Sequence, residues 1–580
     1  MYFPKLRQAP QKTQTLSNFG GYDHNLRIPD GFFYEMQNMT SDHHPILASR
    51  AQRGTVDTTG TVDGMVSSHG LCIVKAGSMI LPDGTAVDMA LTPGEKSLIP
   101  MGAYVVVFPD KKWINVAACL ENPQGDNNWG ELENRWQSGT GEVTLLACNP
   151  DGSAQPSASV ATEKPANPYD GQLWRDYSVY PVVLKRWSEE LGLWITEENT
   201  CIKLTATGIG KGFHKGDTVR IEIHAQGTEV PEASLILDQA EDWLVVRGYV
   251  QKSPCTVTGV TICREIPDMD LVIECGNRLW GCKYGITGKG FLNEIYCSKL
   301  GSFQNWNSFE GISTDSYVAS IGTDGPFTGA VSYMGRPLFF KENCMIEVFC
   351  NYPANYQVQT TPCAGVQKDC HKSLAVVNNI LYYKSRQGVC AFDGSMPVQK
   401  GRAFGSVHYE HAVAGAWDSK YCISMEAGGK WNLFVYDTLR DLWHREDDTH
   451  ADSFAACEDG FFCLTHAGKL LNMAGGTGEG KVPWLVETGP IGLTEPEARY
   501  VSRLSLRLWI EPGARATVSC RYDNDPQWQQ LCTLTGTALG SFTVPIRPRR
   551  CDHMRLKLEG QGAVRIYALT KVWEEGSDLR

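Results

Sequence analysis

Between residues 271 and 475 one short phrase recurs. An apolar run of about four to seven residues meets an Asn, Asp or Gly turn, then an aromatic-rich run, then a Gly or Asp-Gly turn. The segments are LVIECGNRLWGCKYG, NEIYCSKL, AVSYMGRPLFFKENCMIEVFC, LAVVNNILYYKSRQGVCAFDG, KYCISMEAGGKWNLFVYDTLRDLWHRE and FAACEDGFFCLTHAGKLLNM. Val377-Asn378-Asn379-Ile380 and Ala391-Phe392-Asp393-Gly394 show the phrase most plainly. Few stretches carry a helical period, so the chain is expected to be all-β. Imperfect repetition at roughly 40–50 residues points to four-stranded blades of a β-propeller, about six to eight of them. A large array of irregular β-sandwiches is the competing arrangement. Residues 60–115 have the same rhythm, with a hairpin signal at Pro82-Asp83-Gly84 and a strand end at Pro109-Asp110.

Two regions break the pattern. In TVRIEIH (218–224), Val219, Ile221 and Ile223 alternate with Thr218, Arg220, Glu222 and His224, as in a half-buried strand. With DWLVVRGYV and VTGVTICREI it predicts a small β-barrel inserted over 196–265. After about residue 480, Leu504, Leu506, Leu508 and Ile510 fall on one strand face, as do Met554, Leu556 and Leu558, and Val564 and Ile566. Such alternation, with one wet face, predicts a two-sheet β-sandwich. The expected organisation is a polar arm (1–18), a first propeller part (19–195), the inserted barrel (196–265), a second propeller part (266–478) and a C-terminal sandwich (479–580). The glycine-rich AGGTGEGK (474–481) lacks phosphate-loop spacing and reads as a flexible linker.

Composition excludes several classes of function. The chain has 580 residues, 42% hydrophobic and 20% charged, enough for a large core in two to four domains. Sixteen Trp, 22 Tyr and 58 Gly lean towards strands and tight turns. A net charge of −12 opposes a surface that coats itself with nucleic acid, which requires clustered Lys and Arg. The first residues carry no apolar leader, and runs such as Tyr104–Phe108 are too short to span a bilayer. Twenty cysteines include no C-x-x-C pair, so buried thiols made in a reducing cytoplasm are expected. The sequon Asn38-Met39-Thr40 then has no consequence.

Each catalytic reading was weighed on its residues. Cys282, in NRLWGCKYG, stands among strand and glycine residues that supply neither a base nor a helix N-terminus to activate a thiol. A core face shared with Trp280 is expected instead. The Asp boxes of sialidase-like propellers are absent. Glu446, Asp447 and Asp448 read as a solvated loop after Trp443, and His408 and His411 as turn residues. No catalytic residue, cofactor or metal is therefore expected, and the protein is read as a non-enzyme. The basic run PIRPRRCDHMRLK, with Arg547, Arg549, Arg550, Arg555 and Lys557, reads as a charged loop entering a strand or as a subunit contact.

Several strings together resemble a family of tailed-phage and prophage structural proteins from gut bacteria, described as stabilisation or tail-accessory proteins. They include FGGYDHNLRIPDGFFYEMQNMTSDHHPILASR (19–50), MGAYVVVFPDKKW (101–113), REIPDMDLVIECGNRLWGC (264–282), FFKENC (339–344), LYYKSRQGVCAFDG (381–394), LFVYDTLRDLWHRED (433–447) and RPRRCDHMRLKLEGQG (547–562). The architecture is similar to the propeller nozzle and tail-hub proteins of short-tailed phages. That resemblance implies a virion component in the tail or neck, assembled in the host cytoplasm. It would form a ring, commonly of six copies, against portal, adaptor and other tail proteins. Phage DNA would pass its lumen without specific binding. The alternative is a receptor- or glycan-binding tail protein using aromatics such as Trp306, Trp431 or Trp528. A glycan-cleaving propeller would require paired carboxylates about 5–10 Å apart in a central pocket.

Overall fold

A computed structural model describes residues 11–575, apart from 57–60, 124, 126, 156–157, 180–182, 198–199, 225–226, 251–252, 289, 350–351, 492–498, 537 and 548. Strands make up 53% of the chain and helix 3%, so the all-β class holds. The chain divides into two compact units: residues 1–96, 325–347 and 359–580, and residues 97–324 and 348–358.

The first unit contains two six-stranded sheets that share one core. One sheet is built on the long strands Arg499–Ile510 and Val564–Glu575, the other on Pro483–Thr488, Met554–Gln561 and Arg515–Tyr522. The alternation read from sequence is the packing face: Leu504, Leu506, Leu508, Ile510, Leu556, Leu558, Val564 and Ile566 are all buried. Burying each such side chain contributes about 1.5–3 kcal/mol.

These sheets also correct the expected boundaries. Gln11–Leu16, placed in a free arm, pairs antiparallel with Val564–Glu575, from Gln11 opposite Glu574 to Leu16 opposite Leu569. Phe32–Gln37, placed in a propeller, pairs with Pro483–Thr488. Residues 11–49 thus complete sheets whose other strands lie more than four hundred residues away. The reason is edge chemistry: the C-terminal strands present unpaired N–H and C=O groups that the N-terminal strands satisfy.

The rest of this unit is a series of four-stranded antiparallel meanders. They cover Val62–Ser67 to Ala86–Asp88, Ala375–Val377 to Val398–Gln399, and Glu410–Trp417 to Leu442–Arg445, together with the sheet from Gly329–Tyr333 to Gln357–Pro362, of which residues 348–358 are assigned to the second unit. The last comprises Ala451–Cys457, Gly460–Thr465 and Leu470–Asn472, with Gly54–Val56 as fourth strand. Two-residue turns fix register: Asn378 and Asn379 have φ of 50° and 63° between Val377 and Ile380, which pair across the hairpin.

The second unit holds two similar meanders, Ser97–Met101 to Trp129–Glu131 and Leu271–Glu274 to Tyr317–Ser320. Between them in sequence lies an eight-stranded sheet. It runs from Asn134–Gln137 to Thr261–Arg264 and encloses Val143, Leu145, Ile202, Leu204, Val219, Ile221, Val246 and Ile262. The insertion expected at 196–265 therefore begins near residue 134. Strands with a local alternation weaker than that of TVRIEIH escaped notice. A further four-stranded sheet, Ser159–Ala161 to Leu193–Thr196, is set within it and opens with a parallel pair. No described helix is long and apolar enough to cross a membrane.

One polar network lies in the first unit's interior. Arg53 binds Glu446 and Asp447, with Nη1 to Asp447 Oδ2 at 2.8 Å and Nη2 to Glu446 Oε2 at 2.5 Å. Arg50 forks onto Glu479 at 2.6 and 2.7 Å. The Glu446–Asp447 stretch, expected as a solvated loop, is thus largely enclosed and already paired. Burial alone would raise the Asp447 carboxyl, but Arg53 holds it below its ordinary value, and Arg50 does the same for Glu479. Removing one member of such a set strands buried charge, at a cost of about 3–5 kcal/mol. Arg53→Met is expected to lower the urea midpoint by that equivalent. Adding Glu446→Gln and Asp447→Asn to it should recover part of the loss.

Burial, and secondarily Lys420, holds the buried His444 at about 4, below its ordinary 6.5. The unfolded chain then takes up a proton that the folded chain refuses, so stability declines as pH falls from 6.5 to about 4. Asp447 and Glu479, with depressed values, lose their contribution lower still, as they protonate. Urea midpoints measured across this range should show the decline. His444→Gln should shrink it without abolishing it, because burial also holds His371 and His450 low.

Candidate functional site

The second unit encloses a cavity of about 840 Å³ where the insertion leaves and rejoins the meanders. Three segments build it. The exit segment supplies Glu131, Glu133 and Asn134, the return segment Glu265 and Asp268, and the hairpin of Leu279–Thr287 and Gly290–Cys297 supplies Thr287, Leu292, Glu294 and Tyr296. Strand pairing sets these positions. Asn134 lies opposite Arg264, and Lys283 opposite Glu294.

Five carboxylates thus line one cavity, and each has a neighbour that restrains it. Lys111 Nζ lies 2.6 Å from Glu133 Oε1, Arg220 Nη2 2.8 Å from Glu265 Oε1, and Lys283 Nζ 2.9 Å from Asp268 Oδ2. Lys112 approaches Glu131 at 3.9 Å. The Tyr296 hydroxyl donates to Glu294 Oε2 at 2.6 Å, and burial, then Glu294, pushes that phenol above its ordinary range. A carboxylate has about four lone-pair positions, so one or two donors each, as at Glu133, which also accepts from Ile266 N at 3.2 Å, leave acceptor capacity. Trp306 also lines it, buried, with its indole N–H given to Phe303 O at 3.0 Å. Arg264 is committed elsewhere, to buried Asp217 and to Leu132 O. The arrangement offers anchored acceptors beside an apolar surface, which suits a neutral ligand rich in hydroxyl groups.

The residues considered from sequence are dispersed. Cys282 is fully buried between Leu271 and Ile295 on the flanking strands, and Trp280, also buried, donates its indole N–H to Cys275 O at 3.2 Å. The core-face reading of Cys282 holds. Trp306 is buried in the second unit; in the first, Trp431 stacks on His450 and Trp528 lies beneath Arg521 and Lys557. Arg547, Arg549 and Arg550 are exposed. Arg555 is held by Glu487 at 2.9 Å and stacks on Tyr34, and Lys557 lies 3.1 Å from Glu559. Arg549 lies over the Tyr522 ring at 5.5 Å, so three of the five basic residues are engaged within the chain. His408 faces Glu410 at 3.8 Å.

The acidic cavity went unseen in the sequence. A signal was available in GELEN (130–134) and REIPDMD (264–270), acidic clusters at the two ends of the insertion. Only the correct starting point of the insertion shows that they meet.

No protein-family model matches this chain, and no curated protein is similar to it. Among solved structures it is similar to an exo-β-1,3-galactanase from Phanerochaete chrysosporium, at 8% identity and TM-score 0.22, over 52% of this chain and 94% of that one. A glycoside hydrolase matches at 10% identity and TM-score 0.20, over 52% and 96%. A family 43 arabinoxylan arabinofuranohydrolase from Bacillus subtilis matches at 9% and 0.16, over 52% and 94%. These neighbours are glycan-cleaving proteins and none is a tail component. None of them bears out the expected ring-forming virion part or the reading of the chain as a non-enzyme. At such TM-scores the likeness transfers neither activity nor substrate.

Burial makes one outcome specific. Native protein treated with iodoacetamide should leave Cys282 unmodified by peptide mass spectrometry, with full labelling only after denaturation. Rapid native labelling would return Cys282 to the list of reactive thiols.

Proposed function

We propose that this protein binds a neutral oligosaccharide in the acidic cavity of its second unit. The observation that carries the reading is the convergence of Glu131, Glu133, Glu265, Asp268 and Glu294 around one space of about 840 Å³, a volume suited to a ligand of several sugar rings. Sugar hydroxyls donate to anchored carboxylates, while the apolar faces of the rings need an apolar or aromatic surface. Leu292, on the same strand face as Glu294 and Tyr296, and Val318 supply that surface in the cavity lining. Anchoring by Lys111, Arg220, Lys283 and Tyr296 pre-orients the acceptors, so little side-chain order remains to be imposed on binding.

The proposed architecture is a β-propeller with an inserted small barrel and a terminal β-sandwich. Six of the four-stranded sheets are antiparallel meanders of consecutive strands, and in a seventh Gly54–Val56 supplies the fourth strand by pairing with Leu470–Asn472. A fourth strand borrowed from the other end of the chain is how a propeller avoids an open seam.

The test is a glycan array probed with the full chain, followed by calorimetry on the bound sugars. Glu294→Gln should weaken binding about 10- to 100-fold, the equivalent of one charge-assisted hydrogen bond, and Leu292→Ala about 10-fold, both with unchanged melting temperature. Reducing-end release in the same samples would extend the reading from binding to hydrolysis. Retention of no glycan, or full affinity in both variants, would overturn it.

A further inference from the structure

The first unit has a separate cavity of about 580 Å³, and His450, Asp452 and His466 come together in its wall. The sequence reading expected no metal ligand in the chain. What brings these three together is a hairpin. Ala451–Cys457 and Gly460–Thr465 run antiparallel with Ala451 opposite Thr465, so His450, just before one strand, meets His466, just after the other. The His466 N–H donates to His450 O at 3.0 Å and ties the two backbones. Register shifts between Ala451 and Ser453, leaving Asp452 as the additional residue of a β-bulge. A bulge re-aims the side chain it carries, and here the carboxylate falls between the two imidazoles.

The distances suit a single ion. Asp452 Oδ1 lies 3.2 Å from His466 Nδ1 and 3.7 Å from His450 Nε2, and one donor atom from each residue lies within 4.8 Å of the others. Four-coordinate zinc, with bonds of about 2.0–2.1 Å, places its ligand atoms ~3.3 Å apart. His450 is held in place by its neighbours, while the exposed His466 rotates out of its stack to direct a lone pair at the shared ion. His450 is stacked between Trp431, at 3.6 Å and 9°, and His466, at 4.3 Å and 14°. Lys372 Nζ donates to Asp452 O at 2.7 Å, fixing the bulge from behind, while its ion pair with Glu95, also 2.7 Å, occupies the charge.

We propose that His450, Asp452 and His466 form a binding site for a divalent transition metal ion, zinc above all, with its remaining coordination position open to the cavity. Two imidazoles and one carboxylate, with a position left for water or ligand, is the donor set of reactive rather than closed structural zinc sites. In the metal-free protein His466 Nδ1–H bonds Asp452. On binding, the ion takes that position and the imidazole carries its proton on Nε2. The site belongs to the first unit and does not depend on the oligosaccharide reading.

Zinc binding to the chelator-treated full chain, measured by competition with a chromophoric chelator, should saturate at one ion. Cobalt(II) at the site should show the intense visible bands of a four-coordinate centre. His466→Ala and Asp452→Asn should each weaken zinc at least about 10-fold and abolish those bands. His466 is 68% exposed at its side chain, so this variant should keep the wild-type melting temperature without metal and identify loss of a ligand rather than loss of fold. His408→Ala serves as control and should bind as wild type. Absence of stoichiometric zinc, or equal affinity in wild type, His466→Ala and Asp452→Asn, overturns the proposal.

Discussion

The ion network of Arg50 and Arg53 is the constraint on which the first unit's chain path depends. Leu47–Ser49 belongs to the terminal sheets and Gly54–Val56 to the last meander, and the two arginines occupy the short passage between them. Their partners come from two distant places: Glu446 and Asp447 from the end of the preceding meander, Glu479 from the chain's return to the terminal sheets. The Arg53 amide also donates to Glu479 Oε2 at 2.8 Å. Outgoing and returning passages are therefore clamped where each changes sheet. Glycines allow the close approach: a side chain on Gly476 would meet Gly54 Cα at 2.5 Å. The stretch read as a flexible linker is instead held by a fork of two hydrogen bonds.

Such a network adds little net stability over an apolar replacement, since desolvating the charges offsets much of their attraction. Its larger effect is selection among arrangements. Any register of Gly54–Val56 other than the observed one, with Thr55 opposite Leu471, would displace Arg53 from two carboxylates that water reaches poorly. A strand of three residues has few side chains to specify its own pairing, so the adjoining charges supply what alternation cannot.

This explains which parts of the structure were legible in the sequence. Leu504 to Ile510 and Met554 to Leu558 alternate over enough residues to declare a buried face, and that face is the core of the terminal sheets. Asn378-Asn379 declares a turn because both residues adopt positive φ. Pairing between Gln11–Leu16 and Val564–Glu575 has no local signature, because a half-exposed polar strand resembles a free arm until its partner is known. The metal-ligand group was illegible for a similar reason. His450 and Asp452 have the spacing of any strand, and only the register with Gly460–Thr465 brings His466 beside them.

Both cavities arise where regular pairing is interrupted. In the second unit, the chain leaves one meander at Glu131 and enters the next at Leu271, and acidic side chains from both ends of the interruption line one space. In the first, a single additional residue in Ala451–Cys457 turns a carboxylate towards two histidines. Sheet interiors cannot host such groups: alternation sends each side chain either into an apolar core or out to bulk water. Bulges and insertion points supply positions between these extremes, where a polar group stays hydrated enough to remain charged and confined enough to hold a direction. The acidity of the chain has the same logic. At the acidic cavity, Lys111, Arg220 and Lys283 each restrain a carboxylate without enclosing it, so the negative charge is fixed in place and still able to accept hydrogen bonds.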